Sequence, residues 1–261
     1  MSGYSLRGLH WFNALSAGAS VVEGLPPSLK VADAELGRFI AVVADPDNRF
    51  PRARNGEVAL LEGWGLAKAV DDAISADRDS AQKRPIIAIV DVPSQAYGRR
   101  EEALGIHQAL AGAADSYARA RLAGHPVIAL LVGKAMSGAF LAHGYQANRL
   151  IALRDPGVMV HAMGKASAAR VTLRSVEELE ALASSVPPMA YDIDSYASLG
   201  LLWETLSVQQ IEQPTEEDLT RVTECLKQAI SDVTSTDLKG RLGASNRAAS
   251  SKVRELLRAQ W

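Results

Sequence analysis

Between Arg38 and Leu153 the chain alternates short apolar runs with longer stretches whose apolar residues recur at helical spacing. RFIAVVADP and GEVALLEGW are brief runs bounded by Asp-Pro, Asn-Gly and Gly, which reads as strands and turns. GLAKAVDDAISADRD places Leu66, Ala69, Val70, Ala73 and Ile74 on one face of a helix. PIIAIVDVP is a continuous β-branched run, the pattern of a strand covered on both faces. REEALGIHQALAGAADSYARARLAG follows as one long helix stopped by Gly124. PVIALLVG is the next buried strand, followed by a turn of small residues, a helix and the strand RLIAL. This alternation predicts a parallel α/β core in repeating units. Strand pairs ahead of single helices favour a spiral of ββα units over a doubly wound sheet.

The two ends of the chain read differently. The first 30 residues, LRGLHWFNALSAGA and then GLPPSLK among them, form an irregular arm with one short helix. Its Trp11 and Phe12 must be buried against the main body or a partner. Beyond Val171, RSVEELEALASS, SYASLGLLWETL and TEEDLTRVTECLKQAISDVT read as helices, and Thr215 ahead of Glu216, Glu217 and Asp218 is a helix start. NRAASSKVRELLRAQW predicts a last helix, with basic residues that suit its C-terminal dipole. The expectation is one domain over residues 1–261, with an arm over about 1–35 and a helical extension over about 172–261.

Composition narrows the function classes. The 28 basic and 30 acidic residues nearly cancel, so no electrostatic case arises for nucleic acid or an anionic membrane. A cationic start followed by an apolar core is missing from the first 25 residues, and no apolar run reaches the ~20 residues of a membrane helix. A cytoplasmic location fits. The five histidines are scattered with no metal-ligand spacing, so no metal site is expected, and no P-loop or Rossmann glycine motif is present. Cys225, the single cysteine, lies at helical spacing and reads as a packed core thiol.

The segment of greatest chemical interest is VGKAMSGAFLAHGYQANRLIAL, a strand, a tight turn, a helix and a strand. Ser137, Gly138 and Ala139 sit where the helix begins, and the first amides of a helix lack intrahelical acceptors. Small side chains let an oxygen approach those amides, the arrangement that stabilises an oxyanion. The competing explanation is that Gly138 and Ala139 are small only for close helix–strand packing.

DVPSQAYGRREEALGIHQALAGAADSYARARLAGHPVIALLVGKAMSGAFLAHG resembles the carboxyltransferase branch of the crotonase superfamily. In that branch an Asp-x-Pro-Gly turn, a Gly-x-x-x-Glu helix start and a Lys-Ala-x-Gly-Gly-Ala turn follow in this order. RGLHWFNALSAGA, DPDNRFPRARNGEVALLEGW and SVPPMAYDIDSYASLGLLWETL extend the likeness and are similar to the gamma subunit of biotin-independent malonate decarboxylase. The resemblance therefore covers nearly the whole chain. Two departures stand out. Pro93-Ser94-Gln95-Ala96 replaces Pro-Gly-Phe, and Ser137-Gly138-Ala139 replaces Gly-Gly-Ala. The second keeps both turn amides; the first alters a loop on the cofactor side, which fits an enzyme that receives no carboxybiotin.

The resemblance implies a crotonase-like fold and a site shared with a beta subunit of similar fold. The substrate would be a malonyl thioester on an acyl carrier protein subunit, held by a prosthetic group related to coenzyme A. An acyl carrier protein transferase (alpha) subunit would complete the assembly. Products would be acetyl thioester and carbon dioxide, with no biotin and no cofactor bound by this chain. The backbone amides of Gly138 and Ala139 are the expected oxyanion donors. Ser94, Gln95 and Tyr97, on the loop after PIIAIVDV, are candidates to orient the carboxylate; each is also explicable as a turn residue. Ser137 and His161 together resemble the nucleophile and base of Clp-type serine proteases, in which case both would act on an acyl group. Two further possibilities stay open: a carboxyltransferase subunit of a biotin-dependent acyl-CoA carboxylase, and a structural wall whose partner supplies the chemistry.

Overall fold

The computed structural model describes residues 4–234 and 238–261. Its elements in order are α1 (Arg7–Leu15), β1 (Ser20–Val21), β2 (Leu29–Ala34), β3 (Gly37–Val42), α2 (Leu60–Ala76) and β4 (Ile86–Val92). Then come α3 (Arg99–Ala103), α4 (Ile106–Leu122), β5 (Val127–Met136), α5 (Ser137–Ala142), β6 (Arg149–Leu153) and β7 (Met159–His161). The chain closes with α6 (Lys165–Val171), α7 (Val176–Ala183), α8 (Ile193–Ser198), β8 (Glu204–Leu206), α9 (Glu216–Ser231) and α10 (Ala248–Gln260).

The strands line up as β1-β2-β3-β4-β5-β6-β8. The pairings among β1, β2 and β3 are antiparallel, and those from β3 onward are parallel. β5 is the longest described strand. Its first half lies between β4 and β6, and its end pairs with β7, placing Met136 opposite His161. Every residue of β4 is buried, as the continuous apolar run requires. Alternation sends neighbouring side chains to opposite faces. Val90 faces Gly144 behind α5, while Asp91 turns to α1 and accepts the Gly8 N–H at 3.1 Å. Trp11 and Phe12 are buried there, and the Trp11 indole donates to the Ile211 carbonyl at 2.8 Å.

The structure departs from the sequence expectations at several places. GEVALLEGW is not a strand: α2 begins inside it at Leu60. The fully buried Glu62 carboxylate accepts the Ala59 N–H at 3.0 Å and the Asn48 side-chain N–H at 2.9 Å, with Ser28 as a third donor. That closes the helix start, although Ala59 has no capping side chain. The long helix expected from Arg100 is two, because Gly105 adopts φ +82° and turns the chain between α3 and α4. SYASLGLLWETL is helical only to Ser198; Gly200 at φ +72° releases the chain into β8, which pairs with β6. The helical extension thus contributes a strand, and the arm holds β1 and β2 besides α1. Thr215 caps α9 as expected, accepting the Asp218 N–H at 3.2 Å. Cys225 is buried on α9, and desolvation pushes its thiol up to about 11. Among the described residues no helix is long and apolar enough to cross a membrane.

Candidate active site

The chemistry-bearing turn stands at the C-terminal end of β5. Met136 is still extended, and the next residue, Ser137, takes φ +57° at the first position of α5. A left-handed conformation at a non-glycine residue costs about 1–2 kcal/mol. This is where the related turn motif carries Gly. Ser137 is held there by its own hydroxyl, which donates to the Ala162 carbonyl at 2.9 Å. That bond gives Ser137 a place in the turn, and no Ser137–His161 hydrogen bond exists among the described residues.

His161 is half-buried and stacks on Tyr191, ring centroids 3.9 Å apart. Its Nδ1 lies 2.8 Å from the Met163 carbonyl and 3.0 Å from the Met163 amide. Desolvation lowers its pKa, so the neutral ring is favoured. His143 contrasts with it. This ring is fully buried between the Tyr117 hydroxyl and the Ile89 carbonyl, each at 3.0 Å, and burial brings its pKa down to about 4.

The loop after β4 approaches the turn from the other side. Its backbone is pinned by a parallel bridge: Val58 N–H donates to the Ser94 carbonyl at 3.0 Å, and Ala96 N–H to the Val58 carbonyl at 2.8 Å. The Ser94 hydroxyl turns back onto the Gln95 carbonyl at 2.8 Å. Tyr97 is exposed, with the Arg52 guanidinium 4.2 Å above its ring. Gln95 reaches across to α5, where its Oε1 accepts the Gly138 N–H at 2.8 Å. One of the two expected oxyanion amides therefore already has an acceptor. The other, Ala139, has no side-chain acceptor among the described residues.

A cationic rim surrounds this edge, and the sequence pattern alone had not pointed to it. Arg49 and Arg100 each hold a guanidinium 5.2 Å from the Phe50 ring centroid, with no carboxylate partner among the described residues. Phe50 belongs to the same buried cluster as Ala96, and Leu110 packs against it. The signal was RFPR, an aromatic between arginines. A cavity of about 320 Å³ lies along the same edge beneath α1, bounded by Gly56, Glu57, Asp91, Pro93 and Lys134. Among the described residues no three His, Cys, Asp or Glu side chains gather to hold a metal ion.

This sheet, with its elbow at the end of the longest strand, is the crotonase fold of the carboxyltransferases. Transcarboxylase 12S superposes with a TM-score of 0.62 at 19% identity, over 88% of this chain and 42% of that one. The family model described as malonate decarboxylase gamma subunit matches residues 53–261, and the chain belongs to that family. A chain of a Pseudomonas malonate decarboxylase hetero-tetramer, solved with coenzyme A, is 72% identical, with a TM-score of 0.93 over 98% of this chain and 99% of that one. The malonyl-S-ACP:biotin-protein carboxyltransferase MADD of Malonomonas rubra is 36% identical over 182 residues, 67% of this chain. This chain spans only 62% of that relative's length.

Proposed function

We propose that this chain is one wall of a two-chain site that decarboxylates a malonyl thioester to an acetyl thioester and carbon dioxide. The observation that carries the reading is the Ser137-Gly138-Ala139 elbow, set at the end of β5 in a chain of this family. As the carboxyl group departs, its bonding electrons enter an enolate and charge grows on an oxygen. A pre-placed N–H aimed at such an oxygen is worth about 3 kcal/mol. We assign that donor to Ala139, whose full burial in this chain requires the turn to shift when substrate binds. Gly138 acts on Gln95 instead, so it orients a side chain rather than meeting the oxyanion itself.

The opposite wall is a beta subunit, in keeping with the MdcD–MdcE hetero-dimer in which a chain 69% identical to this one was solved. The thioester is carried on an acyl carrier protein whose prosthetic group is related to coenzyme A, and an alpha subunit transfers that carrier protein. The coenzyme A complex of the 72% identical relative supports a pantetheine-bearing substrate. This chain needs no biotin.

A second reading, biotin-dependent carboxyl transfer, rests on the name of the Malonomonas relative. The same carboxyl group would then pass to biotin instead of leaving as carbon dioxide. One assay separates the two. The chain co-expressed with its beta partner should release carbon dioxide from malonyl-coenzyme A at a rate that excess avidin leaves unchanged. Turnover silenced by avidin would establish the carboxyltransferase reading.

A further inference from the structure

We infer that the Gln95 carboxamide is the donor that receives the substrate's carboxylate, held in its working orientation by the Gly138 amide. The inference rests on the decarboxylase reading and assigns one of its groups. A carboxamide has an acceptor end and a donor end, and an N–H can meet only the acceptor. The 2.8 Å bond from Gly138 N–H to Oε1 therefore fixes which way Gln95 faces. Its two Nε2 protons find no acceptor among the described residues.

The setting is built to keep the side chain there. The Val58 bridge clamps the main chain on both sides of Gln95. A Cβ at position 138 would lie 3.3 Å from Gln95 Oε1 and 3.3 Å from Leu110 Cδ1, so either side chain would have to give by a few tenths of an ångström. The Nε2 end is open to solvent on a half-buried side chain, so an incoming acceptor can reach it. The complementary ligand is an accept-only group of matching width, and a carboxylate is that group.

The chemistry explains why the donor is neutral. In the reaction the C–C bond to the carboxyl carbon breaks and carbon dioxide leaves. The electron pair stays as the thioester enolate, which then takes a proton to become the acetyl thioester. The carboxylate loses its charge on the way. A lysine or arginine paired with it would stabilise the starting state more than the transition state and slow the step. An amide holds the carboxylate in position without that penalty.

Gln95→Glu, made in the assembled two-chain enzyme, provides the test. The new carboxylate still accepts the Gly138 N–H, so the turn keeps its brace, while both donors vanish and a negative charge appears. Malonyl-coenzyme A should bind about 10- to 100-fold more weakly. Acetyl-coenzyme A, which lacks the carboxylate, should bind within about twofold of wild type. Gln95→Met, which removes the donors without adding charge, should weaken malonyl-coenzyme A alone by a smaller factor. Wild-type binding of malonyl-coenzyme A by Gln95→Glu would overturn the inference, as would parallel weakening of both thioesters. A wild-type assembly that releases no carbon dioxide would instead overturn the decarboxylase reading itself.

Discussion

The two ends of the parallel sheet are built from the same strands and solve opposite problems. At the N-terminal end the charges pair with one another. Arg38 grips Asp33 with bonds of 2.8 and 2.6 Å, and Arg84 bridges Asp33 and Asp77 at 3.2 and 2.7 Å. At the C-terminal end the groups are half answered. Among the described residues, Gln95 has a satisfied oxygen and free N–H donors, while Arg49 and Arg100 lie over Phe50 without a carboxylate. Closed networks hold a fold together, and open ones wait for a ligand or a partner. The difference places function at one edge of the sheet and stability at the other.

The largest effect expected on the fold comes from Gly133, where Asp91 joins the working edge to α1. A Cβ there would fall 2.0 Å from Asp91 Oδ1, displacing a carboxylate that accepts the Gly8 and Lys134 amides. Gly133→Ala should cost about 2–4 kcal/mol in denaturant unfolding. At the other end, Arg84→Ala should cost about 1–2 kcal/mol, since the guanidinium is partly exposed, and should leave carbon dioxide release unchanged. If it abolished turnover while the assembly stayed folded, the division between the ends would be wrong.

A smaller effect follows from pH. Arg38 holds the Asp33 carboxyl below its usual range, and Arg84 does the same for Asp77. Carboxyls depressed in the folded state contribute stability that is full above the unfolded value of about 4 and fades as pH falls below it. Thermal unfolding should therefore move to lower temperature between roughly pH 4 and pH 2. In Arg84→Ala that acid slope should be shallower.

Much of this was legible in the chain. Continuous apolar runs marked β4 and β5, because a strand covered on both faces keeps such a pattern. Thr215 marked α9 through its side-chain cap. The start of α2 was hidden because its cap is a buried carboxylate, Glu62, whose other partners Ser28 and Asn48 come from distant segments. The break at Gly105 was visible as a glycine but not as a left-handed one. At the site, the small-residue turn was readable, and its occupant was not. Gln95 lies 43 positions from Gly138, and the parallel pairing of β4 with β5, which sets Val92 beside Ala135, brings the two loops together. The bond from the Ser137 hydroxyl to the Ala162 carbonyl accounts for a serine in this left-handed turn without a base beside it.

The decisive experiment is carbon dioxide release by the two-chain assembly carrying Gly138→Pro. Proline is tolerated in the first turn of a helix but has no N–H, so the brace on Gln95 is lost and the elbow is reset. With assembly confirmed by size, turnover of malonyl-coenzyme A should fall about 100- to 1,000-fold. An assembled Gly138→Pro enzyme working at the wild-type rate would mean that the elbow takes no part in the reaction.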